Sequence, residues 1–122
     1  MKKASLTLLA FLVMCGLSFG APRKGGKQKT FAGEIFDSQC AMMGSHAKME
    51  AMHPGIKTAK QCTLQCVKMG GKFVLYNPKS KRTYQLSDQE KPRDFAGDKV
   101  KVTGTYDKAT KTIHVDSIEA AS

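Results

Sequence analysis

The strongest constraint on the fold is a strict alternation of apolar and polar residues late in the chain. Between residues 99 and 106, one face carries Val100, Val102, Gly104 and Tyr106, and the other carries only lysine and threonine. A period of two residues is that of a β-strand with one face on a core and the other in solvent. This segment therefore predicts a two-faced antiparallel strand.

Similar patterns predict four more strands, which are Thr30–Phe36, Lys72–Tyr76, Arg82–Leu86 and Thr112–Ile118. Turn-forming residues separate them, with NPKS at 77–80 and DKAT at 107–110. A helical insertion lies between the first and second strands. The arrangement favours a mainly β fold, a small five-stranded OB-like barrel with helices between strands 1 and 2. A two-layer α+β sandwich is the alternative.

Four segments carry a resemblance to small exported bacterial OB-fold-like proteins of uncharacterised function. They are TFAGEIFDSQCA, CTLQCVKMGGKFVL, AGDKVKVTGTYD and IHVDSI, and together they extend over most of the chain after residue 20. The resemblance implies an OB-like fold and a location outside the cytoplasm. It implies no activity.

The N-terminus has the pattern of a cleavable export signal. Two lysines precede an apolar run at residues 6–17, and Ser18 and Gly20 place small residues before a cleavage site at Ala21. The run of about 12 residues is shorter than the roughly 20 that a membrane-spanning helix needs. We therefore expect a periplasmic or secreted protein with no transmembrane span after cleavage. Lipidation at Cys15 is not expected, because the bulky Met14 precedes it.

The chain divides into three parts on this interpretation. They are a signal peptide at 1–20, a flexible basic leader at 21–29, and a single domain at 30–122 whose insertion at 37–71 is rich in Cys, Met and His. The formal net charge of +10 predicts attraction to an anionic envelope surface, to another exported protein or to nucleic acid. A basic surface for such a partner comprises Lys79, Lys81, Arg82, Lys99 and Lys101. A solvated basic face is the alternative interpretation.

Two helices are predicted inside the insertion. The first extends from Ser38 to His53 and ends before Pro54, which cannot continue a helix. Spacings of four, three and four residues give it a stripe of Met42, His46, Met49 and His53.

The second predicted helix has clearer end signals. Thr58 and Gln61 have the form of a capping box, and Gly70-Gly71 suits the C-terminal end. Spacings of four and three residues place on one face Cys62, Cys66 and Met69.

These stripes predict a site for a soft metal, with copper(I) as the first candidate, because thiolate and thioether sulfur suit that ion. The candidate ligands are Cys62, Cys66, Cys40, His46, His53, Met49 and Met69. The CxxxC spacing is similar to that of Sco-type copper chaperones and of the binuclear copper domain of cytochrome oxidase. The chain departs from both, since no proline follows the second cysteine and no histidine stands at the oxidase position. The alternative interpretation is that these stripes only pack against neighbouring apolar side chains, as Met and Cys often do.

Three cysteines after the signal peptide also permit a disulfide in an oxidising compartment. Cys40 is expected to pair with Cys62 or Cys66, which leaves one free thiol. In this alternative the protein is a structural or interaction module whose cysteines form a disulfide. A thiol oxidoreductase would need a cysteine of lowered pKa, which Lys60 or Lys68 could promote. The chain has no CxxC motif and no hydrolase motif, so we expect a non-enzymatic binding protein.

Overall fold

The computed structural model describes residues 26–122, so the predicted signal peptide, Cys15 and most of the basic leader lie outside the described residues. The five strands are β1 (Lys29–Asp37), β2 (Phe73–Asn77), β3 (Arg82–Leu86), β4 (Lys99–Asp107) and β5 (Thr112–Ala120). Three helices separate β1 from β2, namely α1 (Ser38–Met43), α2 (His46–Met52) and α3 (Ala59–Lys68). A 3₁₀ helix at Lys91–Phe95 lies between β3 and β4.

The strands close into a ring in the order β1-β2-β3-β5-β4, with β4 hydrogen-bonded back to β1. Four of the five pairings are antiparallel, and the short β3–β5 pairing is parallel. Closure leaves no unpaired sheet edge. The mainly β, OB-like prediction is confirmed, and the two-layer sandwich is not the architecture.

Each of the five predicted strands is present, with bounds that differ by two residues or fewer. The last residue of the predicted leader, Lys29, is the first residue of β1 and pairs with Gly104. On β4, Val100 and Val102 are fully buried whereas Lys99 and Lys101 are exposed, as the alternation requires.

Two apolar clusters lie on opposite faces of β1 and β2. The first, called the barrel core here, fills the interior with Ile35, Phe73, Leu75, Leu86, Ala96, Val100, Val102 and Ile113. The second, called the helical cluster, lies under the insertion and contains Phe36, Cys40, Ala41, Met49, Cys62, Cys66, Val74 and Tyr76. Adjacent residues of β1 and β2 thus alternate between the two clusters, because successive side chains of a strand point to opposite faces.

The single helix predicted from Ser38 to His53 is wrong, because the chain forms two helices there. Gly44 has φ 70°, a left-handed conformation that glycine adopts without steric cost, and it ends α1. Ser45 then caps α2, its hydroxyl accepting the amide N–H of Ala47 at 3.1 Å. In the described part of the chain, no helix has the length and apolar character to cross a membrane.

Candidate metal centre

Asp37 is at the junction where β1 ends and α1 begins, and it caps the helix. Its Oδ1 accepts the amide N–H groups of Gln39 at 2.8 Å and Cys40 at 3.0 Å. Aspartate is among the preferred residues at this position because a helix starts with unpaired amides. The cap fixes the carboxylate beside the turn that carries Cys40.

Helix α3 supplies the other two thiols and begins where the sequence predicted. Thr58 Oγ1 accepts the amide of Gln61 at 3.1 Å, and Gln61 Oε1 accepts the amide of Lys57 at 2.8 Å. The glutamine thus reaches one residue beyond the capping-box position. Cys62 and Cys66 follow four residues apart, so they lie on one face, and both are fully buried.

Hydrogen bonds also connect the start of α1 to the segment that follows α3. Ser38 and Lys72 exchange two hydrogen bonds, Ser38 N to Lys72 O at 2.9 Å and Lys72 N to Ser38 Oγ at 3.3 Å. Gly71 donates to the Cys66 carbonyl at 3.0 Å, and a Cβ at Gly71 would lie only 2.9 Å from that oxygen. Any larger residue at position 71 would therefore require the last turn of α3, which carries Cys66, to shift.

These elements bring four donors together. One ligand atom each from Asp37, Cys40, Cys62 and Cys66 lies within 4.8 Å of all the others, and none of the four residues is exposed. The Sγ atoms of Cys40 and Cys62 are 3.3 Å apart. Donors bound to one tetrahedral ion at about 2.0–2.3 Å lie about 3.3–3.8 Å from one another. The group is therefore close to the size that a coordinated ion requires.

The thiols of Cys40 and Cys66 are held in their neutral form. Burial raises the pKa of Cys40, and it raises the pKa of Cys66 from 9.0 to about 11; for both, the Asp37 carboxylate adds to the effect. A thiol must lose its proton to ligate a metal, so binding here releases protons. Metal affinity is therefore expected to fall as the pH is lowered.

The carboxylate itself has one oxygen that lacks a partner. Asp37 Oδ2 is buried and accepts no hydrogen bond from residues 26–122. An unpartnered buried polar oxygen is unfavourable, and an anionic one is more so. A cation within reach of Oδ2 and the three sulfurs would remove that penalty, so the donor group fits a metal.

The other predicted ligands have different surroundings. Met49 is buried among apolar side chains of the helical cluster, and the His46 ring packs on Phe36 at an interplanar angle of 52° with ring centroids 3.9 Å apart. His53 is exposed at the end of α2, and Met69 is 56% exposed at the end of α3. Neither histidine belongs to the four-donor group.

The predicted pairing of Cys40 with Cys62 or Cys66 is not formed. The structure describes all three as free cysteines, and the 3.3 Å between the Cys40 and Cys62 sulfurs exceeds the about 2.05 Å of a disulfide bond.

Sequence reasoning missed Asp37 as a donor. The signal was present, since an aspartate directly after a predicted strand and three residues before a cysteine is a natural helix cap. A cap and a cysteine in the first turn lie close together whatever the rest of the fold does. The sequence could therefore have paired Asp37 with Cys40.

The predicted basic surface is divided between separate places. Lys79 and Lys99 border one depression, and Lys101 is exposed on β4. The other two predicted residues, Lys81 and Arg82, line a different cleft of about 820 Å³. Further cationic and aromatic side chains line the same cleft, namely Lys108, Lys111, Tyr84 and Tyr106.

Comparison with known families gives one match. The model of a family described as a protein of unknown function (DUF5818) matches residues 67–121, which comprise the end of α3 and strands β2 to β5. The match begins one residue after Cys66, so it contains none of the four donors. Comparisons with curated proteins and with solved structures give no match.

Proposed function

We propose that this protein is an exported, non-enzymatic metal-binding protein that holds one thiophilic ion between Asp37, Cys40, Cys62 and Cys66. One observation carries the proposal: four ionisable donors from two helices and a strand end converge in a fully buried group. Cysteines alone could be packing, because a free cysteine behaves as a small apolar residue. A buried carboxylate with an unpartnered oxygen in the same group has no such explanation.

The donor set distinguishes between two ions. Copper(I), the ion predicted from the sequence, is satisfied by sulfur alone. Zinc(II) takes four ligands in a tetrahedron and accepts carboxylate oxygen together with thiolate sulfur. A divalent ion also offsets more of the negative charge of one carboxylate and three thiolates than a monovalent ion does. The complete set therefore favours zinc(II), whereas copper(I) would use mainly the sulfurs.

The test is competition against chromophoric chelators on reduced, metal-free protein, once with zinc(II) and once with copper(I). Loss of a residue that only hydrogen-bonds to a metal ligand lowers metal affinity by roughly 10–100-fold. Cys66→Ser should weaken the binding of either ion by more than this, because it removes a ligand itself. Asp37→Asn keeps the cap, because Asn caps as well as Asp. Asp37→Asn should lower the affinity for zinc(II) by at least about 10-fold and the affinity for copper(I) by less.

Asp88→Asn is the matched control, since one oxygen of Asp88 accepts the amides of Glu90 and Lys91, as Asp37 accepts two amides, and Asp88 is no member of the four-donor group. Its affinity for both ions should equal that of the wild type. Weak and equal binding in all four proteins would show that the cysteines only pack.

Thiol chemistry is less well supported than metal binding. A catalytic or redox-active cysteine needs a lowered pKa and access to solvent, whereas Cys40 and Cys66 are buried with raised pKa values. A Cys40–Cys62 disulfide is the oxidised alternative to the metal site, because it would consume two of the three sulfurs. Peptide mapping without reduction should find this bridge in air-oxidised apo-protein and not in metal-loaded protein.

Export is proposed from the N-terminal pattern. The mass of the protein recovered outside the cytoplasm should correspond to a chain that begins at Ala21. A mass that retains residues 1–20, or that includes acyl chains on Cys15, would contradict this part of the proposal.

The basic cleft supports a second candidate function, the binding of an anionic polymer. Neither of the two ion pairs in residues 26–122 involves a cation of the cleft, namely Lys81, Arg82, Lys108 or Lys111. Binding of a single-stranded oligonucleotide should fall steeply with salt. Lys81→Gln should weaken it more than Lys79→Gln, because Lys79 lies outside the cleft. Equal effects would indicate attraction by net charge alone.

A further inference from the structure

The insertion contains a second polar group with buried atoms, the imidazole of His46. His46 is the first residue of α2, and both of its ring nitrogens are buried without a hydrogen-bond partner among residues 26–122. A neutral imidazole carries one N–H donor and one acceptor nitrogen. To leave both without a partner is costly, and buried histidines ordinarily satisfy at least one.

The imidazole is on the same side of the sheet as the thiols. Its ring packs on Phe36, the residue that precedes Asp37 in β1, and Phe36 belongs to the helical cluster with all three cysteines. Burial lowers the pKa of His46, and Asp37 is the first of the carboxylates that oppose this lowering, ahead of Glu34 and Glu50. The carboxylate with the largest electrostatic effect on the ring is thus a member of the donor group.

Helix α2 holds His46 on this side of the sheet. It has seven residues, it follows the left-handed Gly44, and His46 is its first residue. Its buried residue Met49 anchors it in the helical cluster, which also contains the three cysteines. The imidazole is therefore carried by an element that packs in the same cluster as the thiols.

We infer that His46 is a further ligand of the metal, able to take the fourth position beside the three sulfurs in place of the Asp37 carboxylate; this inference rests on the proposed function. Imidazole nitrogen is a normal ligand of zinc(II) beside thiolates, and three cysteines with one histidine is a common zinc donor set. Coordination would give one ring nitrogen a partner. The other would be free to donate its N–H to a carboxylate or carbonyl, as metal-bound histidines generally do.

Two matched variants test the role. His46→Ala removes the buried imidazole, and His53→Ala removes an exposed one from the other end of the same helix. His46→Ala should lower zinc(II) affinity by at least about 10-fold and change the visible spectrum of the cobalt(II)-loaded protein. His53→Ala should do neither. Added free imidazole should restore the spectrum of His46→Ala, which a purely structural loss would not permit.

A measurement on the wild type avoids any question of misfolding. The imidazole nitrogens of His46 should shift in ¹⁵N NMR when one equivalent of zinc(II) is added, and those of His53 should not. Zinc binding with unchanged His46 nitrogens would overturn the inference and leave the proposed function standing. If the wild type binds neither zinc(II) nor copper(I), the proposed function fails and the role of His46 fails with it.

Discussion

The barrel core and the helical cluster lie on opposite faces of the same two strands, and they are built of different materials. The barrel core consists of aliphatic side chains and Phe73, in strands whose backbones pair around a closed ring. The helical cluster includes three thiols, adjoins a buried carboxylate and an imidazole, and rests on helices of six, seven and ten residues. Isolated helices shorter than about 12–15 residues are marginal in water.

The difference teaches where the stability of each region originates. Apolar burial is sufficient for the barrel, because every strand has two partners and its inward side chains fill the interior. The insertion has short helices, and it buries polar atoms that have no hydrogen-bond partner in the described part of the chain. It therefore depends on the barrel beneath it and, we propose, on an ion within it.

The largest expected effect comes from breaking the barrel. Phe73 is fully buried in the barrel core and stands on the strand that also supports the helical cluster. Phe73→Ala should destabilise the domain by about 3–5 kcal/mol, because a large buried side chain is lost and a cavity remains. Urea denaturation followed by circular dichroism should show one cooperative transition, with or without zinc(II). Loss of the insertion alone would show that the two regions are not coupled.

The pH dependence of the metal-free protein should originate in the helical cluster. The pKa of Cys66 is raised to about 11 from 9.0, and burial raises that of Cys40 as well. A raised pKa means that the thiols of the unfolded chain lose their protons at lower pH than those of the folded protein. The stability that the neutral thiols contribute is therefore fully present below about pH 9. It is lost as the pH rises through about 11. Denaturation of reduced apo-protein at several pH values measures this.

Cys66→Ser separates the contribution of this thiol from that of every other titratable group. The free energy of unfolding of the variant should fall less than that of the wild type as the pH rises from 9.0 to about 11. Parallel curves for the two proteins would mean that the Cys66 thiol is not shielded as the structure indicates.

A smaller effect is expected at the start of α3. Thr58→Ala removes the hydroxyl that accepts the amide of Gln61, which should cost about 1 kcal/mol. Hydrogen exchange should accelerate in α3, the helix of Cys62 and Cys66, while β4 and β5 keep their protection. Uniform acceleration throughout the domain would show that α3 does not open separately from the barrel.

The same comparison explains what the sequence could reveal. All five strands were predictable from local signals, such as the alternation in β4 and the turn residues that separate the strands. The ends of α3 were predictable because Thr58 and Gly70-Gly71 are local signals as well. One continuous helix was predicted across Gly44, although Gly44 and Ser45 weaken a helix, because a stripe with helical spacing continues past them; the backbone instead turns left-handed at Gly44.

The donor group was only partly predictable because it depends on long-range structure. The three cysteines were candidates by residue type. Asp37 joins them because β1 pairs Asp37 with Phe73 while α3 packs over the same end of the sheet. Met69 shares the spacing of Cys62 and Cys66, but α3 ends at Lys68 and leaves Met69 beyond the buried face. Spacing defines a face of a helix and does not tell which part of that face is covered.

The smallest effect concerns this methionine. Met69→Leu should change stability by no more than about 0.5 kcal/mol, as exposed substitutions generally do, and it should leave zinc(II) and copper(I) affinity unchanged, because the side chain is 56% exposed. Chelator competition measures the affinities. A marked loss of copper(I) binding would show that Met69 folds back onto the site as a sulfur donor.

The central claim is that the barrel positions a sulfur-rich metal site within its insertion, and X-ray absorption at the zinc edge tests it most directly. Protein loaded with one equivalent of zinc(II) should show three sulfur neighbours at about 2.3 Å and nitrogen or oxygen at about 2.0–2.2 Å. The sulfur shell should lose one neighbour in Cys66→Ser, one of the four buried donors. A zinc environment of nitrogen and oxygen alone, the same in both proteins, would contradict the account.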